Sequence, residues 1–371
     1  MTDRKRKIKF VDERRTQYKW NQEFNDFIIC NSSTCDHKVK SKNISEFPKH
    51  LINPEKGYKL TLNDLIGLAE CYHCVEQTKY RSLCLKKLSD LKLDLIKLEN
   101  MIGLKDIKQR IVSNIIKFLL KIKSDNNLES LHTIIGGPPG VGKSTFVHIL
   151  ASIYLKLGLL TRGHVVNAKA TDLIGKYVGH TAAMTQDKID EAYGGILLID
   201  EFYTLGANYK NSFSKECIDT LNRNMTENKN WILFGAGYIN QIVSDILDKN
   251  EGIKSRFKYF YVINPYSSME LKEIFKRHIK DINYVKWKID IPEEDLDKFF
   301  DKNYKKFTSF GRDVKKLFDY SVTVHANRIV FEPEESKYKL TFYDLEKGLE
   351  EMFINEITDT KEDKPPEFLY M

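Results

Sequence analysis

Between about Leu98 and Ile263, short apolar runs alternate with longer stretches in which apolar residues recur every third or fourth position. The runs Leu131–Ile135, His164–Asn167, Ile196–Ile199, Trp231–Phe234 and Tyr259–Ile263 predict five strands. Stretches near 142–157, 181–193, 213–228 and 241–249 predict the helices that follow the first four. Strand then helix, repeated, predicts an α/β fold with a parallel sheet between helices on both faces. Ile196-Leu-Leu-Ile199 and Ile232-Leu-Phe234 are apolar throughout, as strands covered on both sides require. Beyond Asn264-Pro265 the strand pattern ends. Ser267-Ser-Met-Glu270 is a capping box, and helical spacing continues through 267–280, 292–302, 311–330 and 341–356.

The first hundred residues have a different texture. Residues 1–20 read as a charged, mobile arm, and the cation run Arg4-Lys5-Arg6-Lys7 reads as a solvated tail. Thr61-Leu-Asn-Asp64 resembles a capping box opening a helix whose apolar face is Leu62, Leu65, Ile66 and Ala69. A second amphipathic helix carries Leu85, Leu88, Leu91, Leu95 and Leu98, with Lys86, Lys87, Asp90 and Lys97 on its wet side. The expected organisation is a mainly helical N-terminal extension over 1–98, an α/β unit over 99–264, a helical unit over 265–357 and a frayed tail over 358–371.

Composition narrows the class. With 371 residues, 42% hydrophobic and 30% charged, and nine prolines, the chain is a folded protein of several units and not a disordered one. No apolar run approaches the ~18 residues of a membrane span; even Ile111–Leu120 is broken by Ser113, Asn114 and Lys117. Met1-Thr-Asp-Arg-Lys-Arg-Lys7 is followed by no apolar core, so a secretory signal is not expected. An intracellular, cytoplasmic setting with reduced thiols follows, with no membrane partner. Lys plus Arg (59) against Asp plus Glu (52) leaves +7, too diffuse to imply nucleic acid by itself.

Gly137-Pro138-Pro139-Gly140-Val141-Gly142-Lys143-Ser144-Thr145 fits the pattern G-x-x-x-x-G-K-[ST] between a predicted strand and a predicted helix. Phosphates must be approached closely by backbone N–H groups, so glycines stand where a Cβ would intrude. The helix N-terminus adds its positive end, Lys143 reaches the β- and γ-phosphates, and Ser144 can ligate Mg²⁺. About sixty residues on, Gly195-Ile-Leu-Leu-Ile-Asp200-Glu201 is an apolar strand ending in two carboxylates. Behind a phosphate loop, Asp200 is placed to hold Mg²⁺, and Glu201 to polarise the water that attacks the γ-phosphate.

With those motifs in place, the chain resembles the AAA+ ATPases, specifically the CbbX/CfxQ and stage V sporulation protein K branch. The resemblance rests on Met101-Ile-Gly-Leu104, Gly137–Thr145, Arg162-Gly-His164, Asp172–Thr181, Gly195–Glu201, Ala236-Gly-Tyr238, Asn250–Arg256 and Phe310-Gly-Arg312, covering about 99–330. It implies a P-loop fold with a five-stranded parallel sheet followed by a helical lid. It also implies that Arg256 is a finger acting on a neighbouring subunit's nucleotide, although Lys254 stands where the family often has another Arg. Arg312 resembles the lid arginine that contacts the γ-phosphate in cis. Ile102 and Gly103 would line the adenine pocket. Tyr238 occupies roughly the position where many relatives place an Asn facing the attacking water, leaving that contact unassigned, with Asn240 a weak candidate. Lys176, Tyr177 and Val178 match a pore loop, in which the aromatic grips extended polypeptide; the flanking Gly175 and Gly179 favour an exposed loop over a buried tyrosine.

Cys30, Cys35, Cys71 and Cys74, with His37 and His73 nearby, invite a zinc reading. The long gap from Cys35 to Cys71 weighs against it. So does the position of Cys71 and Cys74 in the third turn of the helix opened at Thr61. The function expected is an ATP-hydrolysing, Mg-dependent remodelling machine acting on a protein substrate by threading in a homo-oligomeric ring, which the resemblance implies is a hexamer. The alternative is a nucleic-acid motor or loader, whose binding would fall steeply with salt.

Overall fold

The computed structural model describes residues 18–20, 28–30, 49–52, 55–71, 79–80, 82–122, 131–177, 179–207, 212–227, 230–281, 287–330 and 332–362. Five strands form the central sheet: β1 (Thr133–Gly136), β2 (Val165–Ala168), β3 (Ile196–Ile199), β4 (Ile232–Gly237) and β5 (Tyr259–Val262). All pairings are parallel, in the order β2-β3-β4-β1-β5. Every residue of β1, β3 and β4 is buried, as their unbroken apolar runs require. The register aligns Gly136 with Gly237 and Ile199 with Gly235, so three strand ends open onto one edge. That edge is where an open parallel sheet binds ligands.

Helices α1 (Leu62–Ala69), α2 (Leu85–Asn100) and α3 (Lys105–Leu119) precede the sheet. Helix α1 begins at the anticipated Thr61 capping box, with both reciprocal hydrogen bonds made. In α2 the five leucines at three- and four-residue spacing are fully buried. They meet α4 (Lys143–Lys156), and a single apolar core runs from Leu62 and Leu91 to Phe146 and Leu150. Within this seam Asp94, 2% exposed, accepts hydrogen bonds from the Ser152 hydroxyl at 2.9 Å and the Lys156 ammonium at 2.7 Å. A buried carboxylate survives only when paired; the two hydrogen-bond donors come from the helix after the glycine loop, and Lys97 of α2 adds a cation at 3.8 Å.

Around the sheet lie α5 (His180–Glu191), α6 (Ser212–Glu227) and α7 (Glu251–Arg256). The helical unit is α8 (Ser268–Asp281), α9 (Glu293–Asn303), α10 (Gly311–Ile329) and α11 (Phe342–Glu362). Helix α8 opens at the expected box: the Glu270 carboxylate accepts from the Ser267 amide at 2.8 Å, and the Ser267 hydroxyl accepts from the Glu270 amide at 3.3 Å. Helices α10 and α11 are locked by Arg328, which donates to both Asp344 oxygens at 2.8 Å. Burial acts to raise the Asp344 carboxyl, yet the Arg328 and Thr341 hydrogen bonds hold it below its ordinary range.

Four expectations are corrected. The stretch 241–249 is not one α-helix: an α turn over Ile239–Ile242 passes into a π-helix over Val243–Leu247. Its backbone lies against Gly206, where an added Cβ would stand 2.3 Å from the Asp245 carbonyl oxygen. Apolar spacing cannot distinguish these two windings over two turns. Cys71 is not within a helix, because α1 ends at Ala69; its thiol donates to the Gly67 carbonyl at 3.0 Å. Cys35 and Cys74 lie outside the described residues. Residues 358–362, expected in the tail, belong to α11. Residues 18–20, expected in the arm, pair antiparallel with Ile28–Cys30, and the rest of both stretches, 1–17 and 363–371, lies outside the described residues.

The seam between α2 and α4 sets a contrast on one helix. Leu91 is fully buried and Leu93 is 66% exposed. Leu91→Ala should cost about 2–5 kcal/mol, whereas Leu93→Ala should stay within about 0.5 kcal/mol of the parent. Urea titration followed by circular dichroism reads both, and equal losses would contradict the packing.

Candidate functional site

Strand β1 ends in Gly136 and feeds the glycine loop directly into α4. Gly137, Gly140 and Gly142 have φ of 152°, 75° and 87°, backbone that side chains resist. Space forbids side chains as well. A Cβ on Gly137 would lie 2.7 Å from the Ile263 carbonyl oxygen, and one on Gly140 would lie 1.7 Å from that of Ser309. The loop is therefore wedged between a strand end and the turn that opens α10. Two hydrogen bonds fix it there: the Gly137 amide donates to the Gly237 carbonyl, and the Gly311 amide to the Gly140 carbonyl, each at 3.1 Å. The Lys143 ammonium braces the loop from inside, donating to the Gly137 and Pro138 carbonyls at 2.8 Å. Burial pulls its pKa down, the Asp200 carboxylate opposes that, and the Arg312 guanidinium adds to it.

Opposite the loop, β3 delivers the acidic pair. The Asp200 amide continues the sheet ladder to Ala168 at 2.9 Å. Glu201 then turns sharply, with φ of 51°, a left-handed conformation costly for a residue with a side chain. The turn is held at both ends. The Glu201 amide donates to Asp200 Oδ1 at 3.1 Å, while the Glu201 carbonyl accepts from the Thr204 amide and hydroxyl, both at 2.8 Å. The result is an exposed Glu201 carboxylate on a rigid turn.

Loop, acidic pair and lid meet in one cleft of about 420 Å³. Its walls include Gly137, Pro139, Gly140, Gly142, Lys143, Ser144, Thr145, Asp200, Glu201 and Arg312, together with Tyr203, Gly237, Tyr238 and Gly311. Arg312 reaches the cleft because it is the second residue of α10, whose start is pinned to the loop. Tyr203 was not anticipated from sequence; its place two residues after the acidic pair was the available signal. Burial first, then the Glu201 carboxylate, raises its phenol pKa, so it stays protonated.

Other anticipated residues stand elsewhere. Pro138 and Val141 belong to the loop without lining the cleft; Val141 is buried and its carbonyl accepts from the Tyr266 hydroxyl at 2.9 Å. Ile102 and Gly103 are also not among the lining residues. A Cβ on Gly103 would meet Glu270 Oε1 at 3.0 Å and the Tyr266 ring at 3.8 Å, and the neighbouring Met101 methyl would lie 3.3 Å from a Cβ on Gly142. Asn240 is exposed and outside the cleft. Arg256 closes α7 away from this cleft, its Nε buried without a hydrogen-bond partner. Lys254 on the same helix pairs with Asp248 at 2.9 Å. Lys176 is exposed and Tyr177 is 68% exposed, its ring edge-on to His180 at 5.5 Å; Val178 lies outside the described residues. Among the described residues no three His, Cys, Asp or Glu side chains form a metal-binding group, and no helix is long and apolar enough to cross a membrane.

Comparison with known proteins agrees with this arrangement. Residues 133–262 match the profile of the ATPase family associated with various cellular activities (AAA). A cfxQ-like protein of Acanthamoeba polyphaga mimivirus is 38% identical over 359 residues, covering 95% of this chain and 87% of that protein. Stage V sporulation protein K of Bacillus subtilis is 34% identical over 213 residues, 54% of this chain and 63% of that protein. Protein CbbX of Cereibacter sphaeroides is 32% identical over 191 residues, 50% of this chain and 62% of that protein.

The wedge is testable at two glycines of equal φ. Gly140 and Gly158 both have φ of 75°, but only at Gly140 would a Cβ meet other atoms within 4 Å. Gly140→Ala should therefore lose about ten-fold or more in ATP affinity, while Gly158→Ala keeps it. Calorimetric titration of both variants with ATP decides the point.

Proposed function

The chain belongs to the AAA ATPase family, in the group of CfxQ, CbbX and stage V sporulation protein K, and from that premise we propose that it threads a protein substrate through the pore of an oligomeric ring. Hydrolysis of ATP drives the remodelling activity of this family, and the chain is an ATPase by that membership. We assign the 99–264 unit to nucleotide binding and the 265–357 unit to the lid. The observation that carries the threading reading is Tyr177: a large aromatic, 68% exposed, on a loop between Gly175 and Gly179. What supports the reading is its place: beside the exposed Lys176, on a glycine-flanked loop of the kind in which the family's pore aromatics stand.

In this reading the loop amides and Lys143 hold the β- and γ-phosphates. Ser144 and Asp200, both on the cleft wall, would hold Mg²⁺, which supplies charge neutralisation for the phosphates when bound. The donor set fits such a group, since the Ser144 hydroxyl and the Asp200 carboxylate, both oxygen ligands suited to Mg²⁺, line the same cleft beside Lys143. Glu201 takes the proton of the attacking water, and Arg312 stabilises charge on the γ-phosphate from the lid. Arg256 does not line the cleft of its own chain. A helix-end arginine with an unpartnered buried Nε fits action on a neighbour's nucleotide, in a ring that the family's hexamers exemplify.

Tyr177→Ala should keep its fold, its assembly and its basal ATP turnover, and lose turnover stimulated by an unfolded polypeptide such as reduced, carboxymethylated lactalbumin. A drop of several degrees in thermal midpoint, or stimulation by single-stranded nucleic acid in place of polypeptide, would overturn the reading.

The shared site has its own test. Arg256→Ala and Lys143→Ala should each be nearly inactive alone. Mixed under conditions of demonstrated subunit exchange, they should recover part of the parent ATP turnover, because some interfaces then join an intact Lys143 to an intact Arg256. No recovery would count against a site built from two subunits.

A further inference from the structure

The helical unit is tied to the phosphate loop at two adjacent residues. The Gly311 amide donates to the Gly140 carbonyl at 3.1 Å, and the Tyr266 hydroxyl to the Val141 carbonyl at 2.9 Å. Consecutive residues stand about 3.8 Å apart, so the two bonds act close to one point. A body held close to one point can still swing about it. Arg312 follows Gly311 directly, and such a swing would move its guanidinium along the cleft wall.

A further contact lies well away from that point. Helix α8 starts just after Tyr266 and rises about 1.5 Å per residue, which puts Arg277 about 15 Å along it. Arg277 Nη1 donates to the carbonyl of Asn100, the last residue of α2. Its Nε donates to Glu273 Oε1 at 3.0 Å, one turn back on α8, which aims the guanidinium. The two neighbours of this turn that face inward, Phe275 and His278, set their rings against Phe318 of α10 at 6.3 and 5.5 Å. Arg277 and Arg312 therefore belong to one packed body.

The acceptor is well anchored. The last carbonyls of a helix have no partner within it and carry its negative end, so cations settle there. At the end of α2 two do: Arg277 at Asn100, and Lys108 of α3 at the Glu99 carbonyl, 2.7 Å away. Helix α2 is itself fastened to α4 by its buried leucines and by Asp94, which accepts from Ser152 and Lys156. Beyond Asn100 the chain is held tightly enough to keep Leu104 at a φ of 63°, a left-handed conformation that a side chain resists. Lid residues line this stretch too, since a Cβ on Gly103 would stand 3.0 Å from Glu270 Oε1.

We propose that Arg277 is a positioning residue for ATP hydrolysis: by holding the end of α2 it fixes the tilt of the helical unit and keeps Arg312 aligned in the cleft. The N-terminal extension is then the stop against which the lid is set. Arg277 touches no reacting atom. Its loss leaves the loop amides and Lys143 free to bind ATP, but lets Arg312 drift from the γ-phosphate, and small misplacements of a charge-stabilising group slow the chemical step.

The inference rests on the reading of Arg312 as the lid group that stabilises γ-phosphate charge, and the test separates the two. In the full-length protein, phosphate release at saturating ATP is measured beside the Kd for a fluorescent ATP analogue. Arg277→Ala should lower turnover about ten-fold, with Kd within about two-fold of the parent and the thermal midpoint unchanged. Arg277→Lys, which keeps a cationic donor, should recover most of that loss. In single-turnover measurements, Arg277→Ala combined with Arg312→Ala should be no slower than Arg312→Ala alone, because both changes act through one group. Normal turnover in Arg277→Ala beside an impaired Arg312→Ala would overturn the role of Arg277 and leave Arg312 standing. A loss lying wholly in Kd, a midpoint lowered by several degrees, no recovery with lysine, or a double variant slower by the full Arg277 factor would overturn it as well. Normal turnover in Arg312→Ala would overturn the reading of Arg312, and with it the route by which Arg277 acts.

Discussion

The phosphate loop has no lateral room, and the rest of the active architecture is arranged around that constraint. Its backbone passes between the Ile263 carbonyl at the end of the sheet and the Ser309 carbonyl at the start of the lid, so close that a Cβ at Gly137 or Gly140 would overlap one or the other. Phosphate recognition by backbone amides demands such bare chain, because a side chain would hold the oxygens away from the N–H groups. The same bareness lets the lid approach. Gly311 donates to the loop at Gly140, and Arg312 follows immediately into the cleft. Loop and lid are thus joined by a direct backbone hydrogen bond.

Tyr266 reinforces this coupling from the junction of the two units. Its hydroxyl donates to Val141 in the loop, and its own carbonyl accepts from the Tyr304 hydroxyl in the lid at 2.9 Å. Burial, with the Glu270 carboxylate adding to it, pushes its phenol up to about 12, so the donor is intact at any physiological pH. Within the lid, the Arg328–Asp344 pair keeps α10 and α11 together, which makes the start of α10 the end of a stiff body. One tyrosine thus ties the loop and the lid together through two hydrogen bonds.

The N-terminal residues enter the same mechanical frame from behind. Helix α2 packs its leucine stripe on α4, and Asp94 reaches Ser152 and Lys156 of that helix. The helix that follows the phosphate loop is thus packed by residues that precede the ATPase motifs in the chain. Removal of this packing would expose apolar surface on α4, so the extension contributes to the stability of the nucleotide unit.

The amino-acid sequence alone determined the strand positions, the phosphate loop and the acidic pair, while the arginine that opens α10 entered through the family resemblance. Each is written locally: an unbroken apolar run marks a strand covered on both faces, and a glycine pattern marks backbone that must stay bare. The capping boxes at Thr61 and Ser267 were legible for the same reason, since their partners lie three residues apart. Tertiary structure decided what no short window contains. It brought Tyr203 and Tyr238 to the Glu201 wall, kept Ile102, Gly103 and Asn240 out of the cleft, and drew Ser309 onto Gly140 across more than 160 residues of chain. It also wound Val243–Leu247 as a π-helix and set Glu201 in a left-handed turn held by Thr204. Periodicity records that a face is covered, but the identity of what covers it depends on contacts between distant segments, and those form only when the sheet and lid are assembled.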